Sequence, residues 1–359
     1  MNDRIRIPAD GMRSFISTVF EKLDVPADDA RIAADVLVRA DLRGVESHGI
    51  NNLWQYVGPL RSGALNPHPN LTLVSETPIT ALVDGDGGMG LVIGVKAMEL
   101  CIAKAKSNGV GIATVRRSRH YGMAAYHAML CLPHDMIGIS LTNNYGIGIV
   151  PTFGNEPMIS TNPISVAVPT GQGNPFVLDM ATSVVAFSKI GAALVKGEKI
   201  PLGWVVNQQG EPVEDAQTAW EGGRILPLGS TPEGSSHKGY GLAVLVDILT
   251  GVLSGGIYGN LAFRNPPDDP KLRESSSHFF MALRIDSFRP VDEFKATMDD
   301  MLSALRNSAK APGRERIYTH GEKEHEAEQE RSQLGIPYHV NFVKKLRELA
   351  SETGVPFAW

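Results

Sequence analysis

The sequence predicts an α/β protein, in which helices alternate with short strands. Segments with apolar residues at three- and four-residue spacing, which is the helical period, are interspersed with short β-rich segments along the chain. From Met136 onward, apolar β-rich segments are separated by clusters of Gly, Pro and Asn. The 359 residues are 43% hydrophobic and 20% charged, which is typical of a globular protein with two or three packed lobes.

The first part of the chain is predicted to be mainly helical. Apolar residues at helical spacing indicate two helices within residues 8–43 and a third over 50–63, which the segment 66–69 ends. Short strands and helices follow, with strands at 79–84 and 112–115 and helices at 91–108 and 124–132.

The second part carries most of the predicted strands. These strands are expected at 137–142, 164–168, 176–179 and 278–285. Helices are expected at 184–196, 240–253, 291–306 and 340–353. Residues 199–229 are rich in Gly and Pro with short strands, and the charged run 322–331 suggests a solvated helix face. The helix at 340–353 is amphipathic and is expected to pack against the N-terminal lobe.

Composition excludes several classes of partner. The formal net charge is −5 and no dense Lys/Arg block is present, which argues against nucleic acid and anionic membrane surfaces. Cys101 and Cys131 lie in apolar helical contexts and are expected to be buried free thiols in a reducing compartment. The N-terminal residues lack the apolar core of a signal peptide, and no apolar run has the length to span a bilayer. We therefore expect a cytoplasmic protein.

Two histidines stand out as candidate proton-transfer groups. Ser47, His48 and Gly49 follow the second predicted helix, and His120 follows a predicted strand within the sequence SRHYG. An imidazole titrates near neutral pH, so it suits general acid–base chemistry. Solitary histidines are more commonly structural, but both lie in polar turns, where catalytic residues concentrate. Neither has a partner histidine four residues away, so no metal site is predicted.

A glycine-rich segment at 84–90, DGDGGMG, matches the G-x-G-x-x-G pattern of dinucleotide-binding turns. It follows a predicted strand and precedes a predicted helix, as that pattern requires. However, Asp84 and Asp86 would lie beside phosphates, and the next strand ends at Arg116 and Arg117 rather than at an acidic residue. The alternative is a turn held by local Asp–backbone hydrogen bonds.

Several polar turns next to predicted strands suit either turn formation or hydrogen bonding to a cofactor. They are residues 142–144, 161–163 and 179–183. Lys238 precedes the apolar helix at 240–253, where an ammonium and nearby backbone amides are able to hold a phosphate. Nucleophile-elbow and P-loop patterns are absent from the sequence, which argues against a serine hydrolase and an NTPase.

Taken in order, the motifs resemble the type-2 malate/L-lactate dehydrogenase family. This family includes sulfolactate and ureidoglycolate dehydrogenases, diketogulonate reductase and cyclic imine reductases. The resemblance covers nearly the whole chain, through the segments ADLRGVESHGI, VDGDGGMG, VRRSRHYG, ISTNPISVAVPT, FVLDMATS, PLGWVVNQQG, HKGYGLAVLVDILTGVLSGG and HFFMALRID.

The resemblance implies a non-Rossmann NAD(P)-binding α/β fold with a mixed sheet and flanking helices, so that the glycine-rich segment is not the cofactor site. It also implies NAD or NADP as cofactor, a small 2-oxo or 2-hydroxy acid as substrate, and a homodimer. The chain is then expected to divide into a helical lobe of residues 1–75 with 310–359, and a cofactor-binding α/β region of residues 76–309 with an inserted smaller subdomain.

By position, the resemblance assigns the site residues. Catalytic roles fall on Ser47, His48, Tyr56 and His120. Cofactor contacts fall on Asn144, Asp179, Met180, Ala181, Thr182, Lys238, Gly239, Gly321 and Glu322. We expect His48 to be the proton donor, with His120 orienting the substrate or serving as the alternate acid.

One departure from the family pattern concerns the substrate carboxylate. Asn52 stands where the family usually has an arginine, and Arg119 stands where it usually has an asparagine. We therefore predict that Arg119 clamps the carboxylate, the alternative being an arginine packed along its own loop. Two other functions remain open at this point: a reductase of cyclic imino acids, and an inactive nucleotide-binding homologue.

Overall fold

The computed structural model describes residues 3–146, 148–260 and 275–359. Its helices are α1 (Ala9–Lys22), α2 (Ala27–Leu42), α3 (Trp54–Ser62), α4 (Gly90–Asn108), α5 (Ala124–Met129), α6 (Phe187–Lys196), α7 (Ala216–Gly222), α8 (Ser236–Asp247), α9 (Val291–Asn307), α10 (Glu322–Leu334) and α11 (Val340–Thr353). Its strands are β1 (Arg4–Ile7), β2 (Thr72–Glu76), β3 (Thr80–Asp84), β4 (Val110–Ser118), β5 (Met136–Thr142), β6 (Ile164–Val168), β7 (Phe176–Met180), β8 (Val205–Val206), β9 (Arg224–Ile225), β10 (Ser276–Arg284) and β11 (Ile336–His339).

Among the described residues, the central sheet has seven strands in the order β2-β3-β4-β10-β5-β6-β7. Only the β3–β4 pair is parallel among these neighbours, so the sheet is mixed, as the family resemblance implies. Strand β10 lies at the centre although it comes late in the chain, and most of its side chains are buried. A strand covered on both faces needs a nearly continuous apolar run, and the Phe279–Phe280–Met281 stretch provides it.

The two ends of the chain share one hydrophobic core. Apolar residues of α1, α2 and α3 pack with Val343, Leu346 and Leu349 of α11, all of them buried. The expected return of the 340–353 helix to the N-terminal helices is therefore confirmed. The contact is reinforced by an antiparallel pairing of β1 with β11, two strands that periodicity did not reveal.

A smaller cluster of buried residues lies within 149–225. It joins Ile149 to Ile190 of α6, to Ala219 of α7 and to the β8–β9 pair. The short helix α7 was not predicted, because its seven residues fall within a Gly/Pro-rich region and carry too few turns to show a period.

The glycine-rich segment 84–90 is a turn held by its own side chains. The Asp84 carboxylate accepts from the Asp86 backbone N–H at 3.1 Å and pairs with Arg116 at 3.1 Å. Its last residue, Gly90, begins α4 against the main chain of Arg119 and His120, where a Cβ would overlap the Arg119 carbonyl. The segment thus shapes the turn that carries His120.

Two further expectations concern buried thiols and the charged run. Cys101 and Cys131 are free and buried, as expected. The charged run forms α10, but this helix is more than a solvated face: Glu328 pairs with Arg39 at 2.6 Å and with Arg43 at 2.9 Å, which docks α10 on α2. Among the described residues, no helix has the length and apolarity to cross a membrane.

Candidate active site

One cleft of about 1330 Å³ brings most of the predicted site residues together. Its walls come from the loop after α2, the turn after β4, the ends of β5 and β7, the 149–225 cluster and the start of α10. Ligand sites are commonly clefts of about 300–1000 Å³. The volume is therefore ample for a dinucleotide together with a small acid.

The loop after α2 places Ser47 and His48 on the cleft wall. Ser47 Oγ lies 3.0 Å from His48 Nδ1, so the hydroxyl fixes one edge of the imidazole. Asn52 closes the loop by donating from Nδ2 to the Ser47 carbonyl at 2.7 Å. His48 is half-buried, and its ring stacks 5.6 Å from that of His120 at an interplanar angle of 20°.

His120 is fixed from behind by Tyr56. The Tyr56 hydroxyl lies 2.7 Å from His120 Nδ1, and the Gly122 backbone N–H points at the same nitrogen at 3.4 Å. A backbone N–H donates only, so Nδ1 is an acceptor, and Tyr56 donates to it as well. The hydrogen bonds therefore assign the ring proton of neutral His120 to Nε2.

The two imidazoles have different electrostatic surroundings. Burial, together with His48 and His127 nearby, lowers the pKa of His120 to about 3, so this ring is neutral at physiological pH. Burial also lowers the pKa of His48. Since Tyr56 is 1% exposed, burial raises the pKa of its hydroxyl above the usual value, and it remains a donor.

The opposite wall carries part of the predicted cofactor set. Asn144 follows β5, and Asp179, Met180 and Ala181 lie at and just after the end of β7, all facing the cleft. Asp179 accepts from the Ala125 backbone N–H at 2.8 Å. Its pKa is raised to about 6 because the cleft walls desolvate the carboxylate.

Gly321, another predicted cofactor residue, also lines the cleft. It immediately precedes α10 and has a positive φ of 86°, with the main chain of Val177 packed against its Cα. A Cβ at this position would crowd β7, so only glycine lets the start of α10 approach the strand end closely. The neighbouring Lys323 also lines the cleft.

Six predicted residues lie outside the cleft wall: Tyr56, which is behind His120, and five others. Arg119 is 6% exposed and donates from Nη2 to the Ala64 carbonyl at 2.5 Å, so its guanidinium is bound to the segment after α3 and neither lines the cleft nor lies on the surface. Thr182 donates to the Thr161 carbonyl at 3.0 Å.

The other three are Lys238, Gly239 and Glu322. Lys238 is exposed in the first turn of α8, and Gly239 is buried against Leu228. The Glu322 carboxylate accepts from the Thr319 backbone N–H and pairs with Arg316, so it holds the turn before α10. None of these three faces the cleft.

Sequence reasoning missed an aromatic pair in the same cleft. Phe187 and Trp220 stack 4.6 Å apart and are 41% and 44% exposed. They come from α6 and α7, and no spacing in the sequence links them. Gln55 also lines the cleft, beside Asn52. Across the described residues, no group of three or more His, Cys, Asp or Glu side chains is arranged to hold a metal ion.

The comparisons with known proteins cover nearly the whole chain. The family model for malate/L-lactate dehydrogenase matches residues 7–347. The malate dehydrogenase of Pyrococcus abyssi is 45% identical over 352 residues, which is 98% of this chain and 96% of that protein. The L-sulfolactate dehydrogenase of Methanocaldococcus jannaschii is 39% identical over 343 residues, 96% of each chain. The solved malate dehydrogenase of Pyrococcus horikoshii superposes with a TM-score of 0.90 at 42% identity, covering 100% of this chain and 98% of that one.

Proposed function

The chain belongs to the malate/L-lactate dehydrogenase family, and from this premise we propose that its cleft interconverts a 2-oxo acid and a 2-hydroxy acid with NAD or NADP. It is a dehydrogenase of hydroxy acids that uses a nicotinamide cofactor. The observation that carries the chemistry is the stacked pair His48 and His120 in a cleft large enough for both ligands.

The cofactor supplies or accepts the hydride at the substrate carbon, so the protein has to bind, orient and move a proton. His120 is held neutral, with its proton on Nε2, and donates a hydrogen bond to the carbonyl oxygen. His48 delivers the proton to that oxygen during reduction and removes it during oxidation, with Ser47 fixing its Nδ1 edge. His120 thus acts as a neutral hydrogen-bond donor, and His48 is the group that transfers the proton.

For the cofactor, the residues that fit are Asn144, Asp179, Met180, Ala181 and Gly321. They offer a carboxamide, a carboxylate, a strand end and a glycine at a helix start along one cleft. Hydroxyl groups of a ribose suit the first two, and the helix start suits a phosphate. This supports a nicotinamide dinucleotide and leaves NAD or NADP as two arms of one assay.

The relatives suggest which acid to test. Their names include malate and L-sulfolactate, two hydroxy acids with a second anionic group. Asn52, Gln55 and Lys323 line the cleft and offer two carboxamides and an ammonium to such a substrate. We propose a malate-type acid.

The test is a substrate panel with both cofactors. Oxaloacetate, sulfopyruvate, pyruvate and a cyclic imino acid are each mixed with NADH or NADPH, and nicotinamide absorbance is followed. We expect turnover with an oxo acid, and a fall in kcat of about 10²–10⁴-fold in His48→Gln with cofactor binding retained. Turnover confined to the imine would identify an imine reductase instead. Cofactor fluorescence enhancement without any turnover would identify a nucleotide-binding homologue.

We also propose that two copies of the chain associate. Leu245, Ile248, Val252 and Leu253 are between 46% and 57% exposed, along α8 and the π-helical turn Ile248–Val252 that follows it. A contiguous apolar face of this kind suits a symmetric contact with a second copy. Sedimentation of the parent and of Ile248→Glu would test this, with dissociation expected in the variant.

We also propose how the chain divides into lobes and in which compartment the protein is found. The shared core of the chain ends supports a lobe of residues 1–75 with 310–359, and the 149–225 cluster supports a smaller subdomain inserted in 76–309. Two free buried thiols, Cys101 and Cys131, suit a reducing compartment such as the cytoplasm.

A further inference from the structure

A buried carboxyl group lies directly beneath the turn that carries Ser47 and His48. Asp41, the penultimate residue of α2, is 1% exposed. Its Oδ2 accepts from the Ile50 backbone N–H at 3.1 Å and from the Tyr338 hydroxyl at 2.7 Å. Its other oxygen lies against the Cα of Gly49, where any Cβ would overlap it. The carboxyl therefore touches the two residues that follow His48.

The same turn is held from the C-terminal part of the chain. Arg331 of α10 donates from Nη1 to the Asp41 carbonyl at 2.6 Å, and from Nη2 to Glu46 Oε1 at 2.9 Å. Together with Tyr338 of β11, this arginine links both ends of the loop to segments about 290 residues away in sequence. Positions on either side of Ser47 and His48 are thus fixed, while the two side chains themselves face the cleft.

We propose that Asp41 is a positioning residue for His48, acting through Gly49 and Ile50 rather than by touching a ligand. An error of about 1 Å in the position of a catalytic group is able to cost about 10²-fold in rate, so a rigid support matters most where a proton is transferred. The inference rests on the proposed function for its catalytic readout, but the placement of the His48 ring is measurable without turnover.

Burial of this carboxyl is unfavourable in itself, which argues against packing as its main role. Desolvation raises the pKa of Asp41 to about 7, whereas Tyr338, Ile50 and Arg331 favour the carboxylate and Glu46 opposes it. A buried polar group needs partners to be tolerated, and the partners here are Ile50 in the His48 turn and Tyr338 of β11, so the carboxyl joins that turn to the C-terminal part of the chain.

Two tyrosines provide a matched test. Tyr338 and Tyr126 each donate a hydroxyl hydrogen bond to an aspartate Oδ2 at 2.7 Å, to Asp41 and to Asp35 respectively. Tyr126 lies outside the cleft wall. Tyr338→Phe and Tyr126→Phe therefore remove the same group at the same distance, and only the first loosens the support of His48. Asp41→Asn removes the charge as well.

We expect Tyr338→Phe to lower kcat by about tenfold and Asp41→Asn by about 10–100-fold, with the cofactor Kd unchanged. The ring NMR signal of His48, assigned by its loss in His48→Gln, should shift in both variants and stay in place in Tyr126→Phe. The double variant should lose less than the product of the single losses, because both act through one hydrogen bond.

An unshifted His48 signal and a parental kcat in Tyr338→Phe would overturn the proposal. So would equal effects of Tyr338→Phe and Tyr126→Phe, because these would indicate a loss of stability alone. A parent protein without turnover on any acid would refute the proposed function, and the His48 signal would still decide the positioning role. If Asp41→Asn fails to fold, Tyr338→Phe carries the test.

Discussion

Removal of the Tyr56 hydroxyl tests the division of labour between the two histidines. Tyr56 is 1% exposed, and its hydroxyl lies 2.7 Å from His120 Nδ1. Tyr56→Phe keeps the ring and deletes one hydrogen bond. The Gly122 N–H, at 3.4 Å, is then the remaining donor to Nδ1 among the contacts described for this nitrogen. The proton of His120 is then held on Nε2, where the substrate oxygen needs it, by this one longer contact alone.

The structure sets the size of the effect. A buried acceptor that loses its partner costs about 1–3 kcal/mol. Since about 1.4 kcal/mol corresponds to a factor of ten, a loss expressed entirely in the transition state lowers kcat by about 5–150-fold. The cofactor Kd should remain at the parental value, because Tyr56 lies behind His120 and outside the cleft wall.

Steady-state turnover of the preferred oxo acid, followed at the nicotinamide absorbance, measures this loss. Tyr126→Phe is the control, because it deletes a hydroxyl bonded at the same distance to Asp35 and away from the cleft. A parental kcat in Tyr56→Phe would refute the assigned tautomer. An equal fall in both variants would point to destabilisation rather than to His120.

Three further predictions concern charged and buried groups. Arg119→Ala should lower the melting temperature and leave KM close to the parental value, because Nη2 donates to the Ala64 carbonyl. A selective rise in KM for acidic substrates would instead support Arg119 as the carboxylate clamp. Lys238→Ala should leave the cofactor Kd unchanged in a fluorescence titration, because the side chain is exposed outside the cleft; weaker binding would restore a phosphate contact. The urea midpoint should fall as the pH drops below about 6.5, because burial lowers the pKa of His120, His127 and His278, so that unfolding takes up protons. Asp41, Asp179 and Asp247, whose pKa values are raised, act in the opposite direction, but with His48 the histidines with a lowered pKa number four, and a midpoint that rises on acidification would contradict this account.

Elements with several turns or a clear alternation were predictable because each has its own period. Helix α4 was expected at 91–108 and begins one residue earlier, at Gly90. The strands β1 and β11 had no such signal, since each has four residues and its pairing partner lies near the other end of the chain. Helix α7 was missed for the same reason of length.

The candidate site was predictable where one short segment carries its chemistry. Ser47 and His48 form one turn, and His120 follows one strand, so local sequence indicated both. Tyr56 entered only through the family resemblance, and the stacked pair Phe187 and Trp220 not at all, because contacts between separate elements leave no local pattern. The direction of the Arg119 side chain could not be predicted either, since its acceptor is the Ala64 carbonyl, 55 residues earlier in the sequence.

Burial holds the His120 ring neutral, and the stacked His48 ring adds to this effect. Two cationic imidazoles 5.6 Å apart in a partly desolvated cleft would repel each other, and His48 does contribute to the low pKa of His120. Tyr56 and Gly122 then complete the assignment, because both donate to Nδ1 and leave His120 able to donate only from Nε2. Burial lowers the pKa of both rings, and that of His120 falls to about 3, so His120 carries no charge near neutral pH. Replacing His120 with glutamine, which is also uncharged, should therefore leave the pKa of His48 close to its parental value in an NMR titration, because burial is the cause of its shift. A His48 pKa that rises in this variant would show that charge on His120 contributes to it.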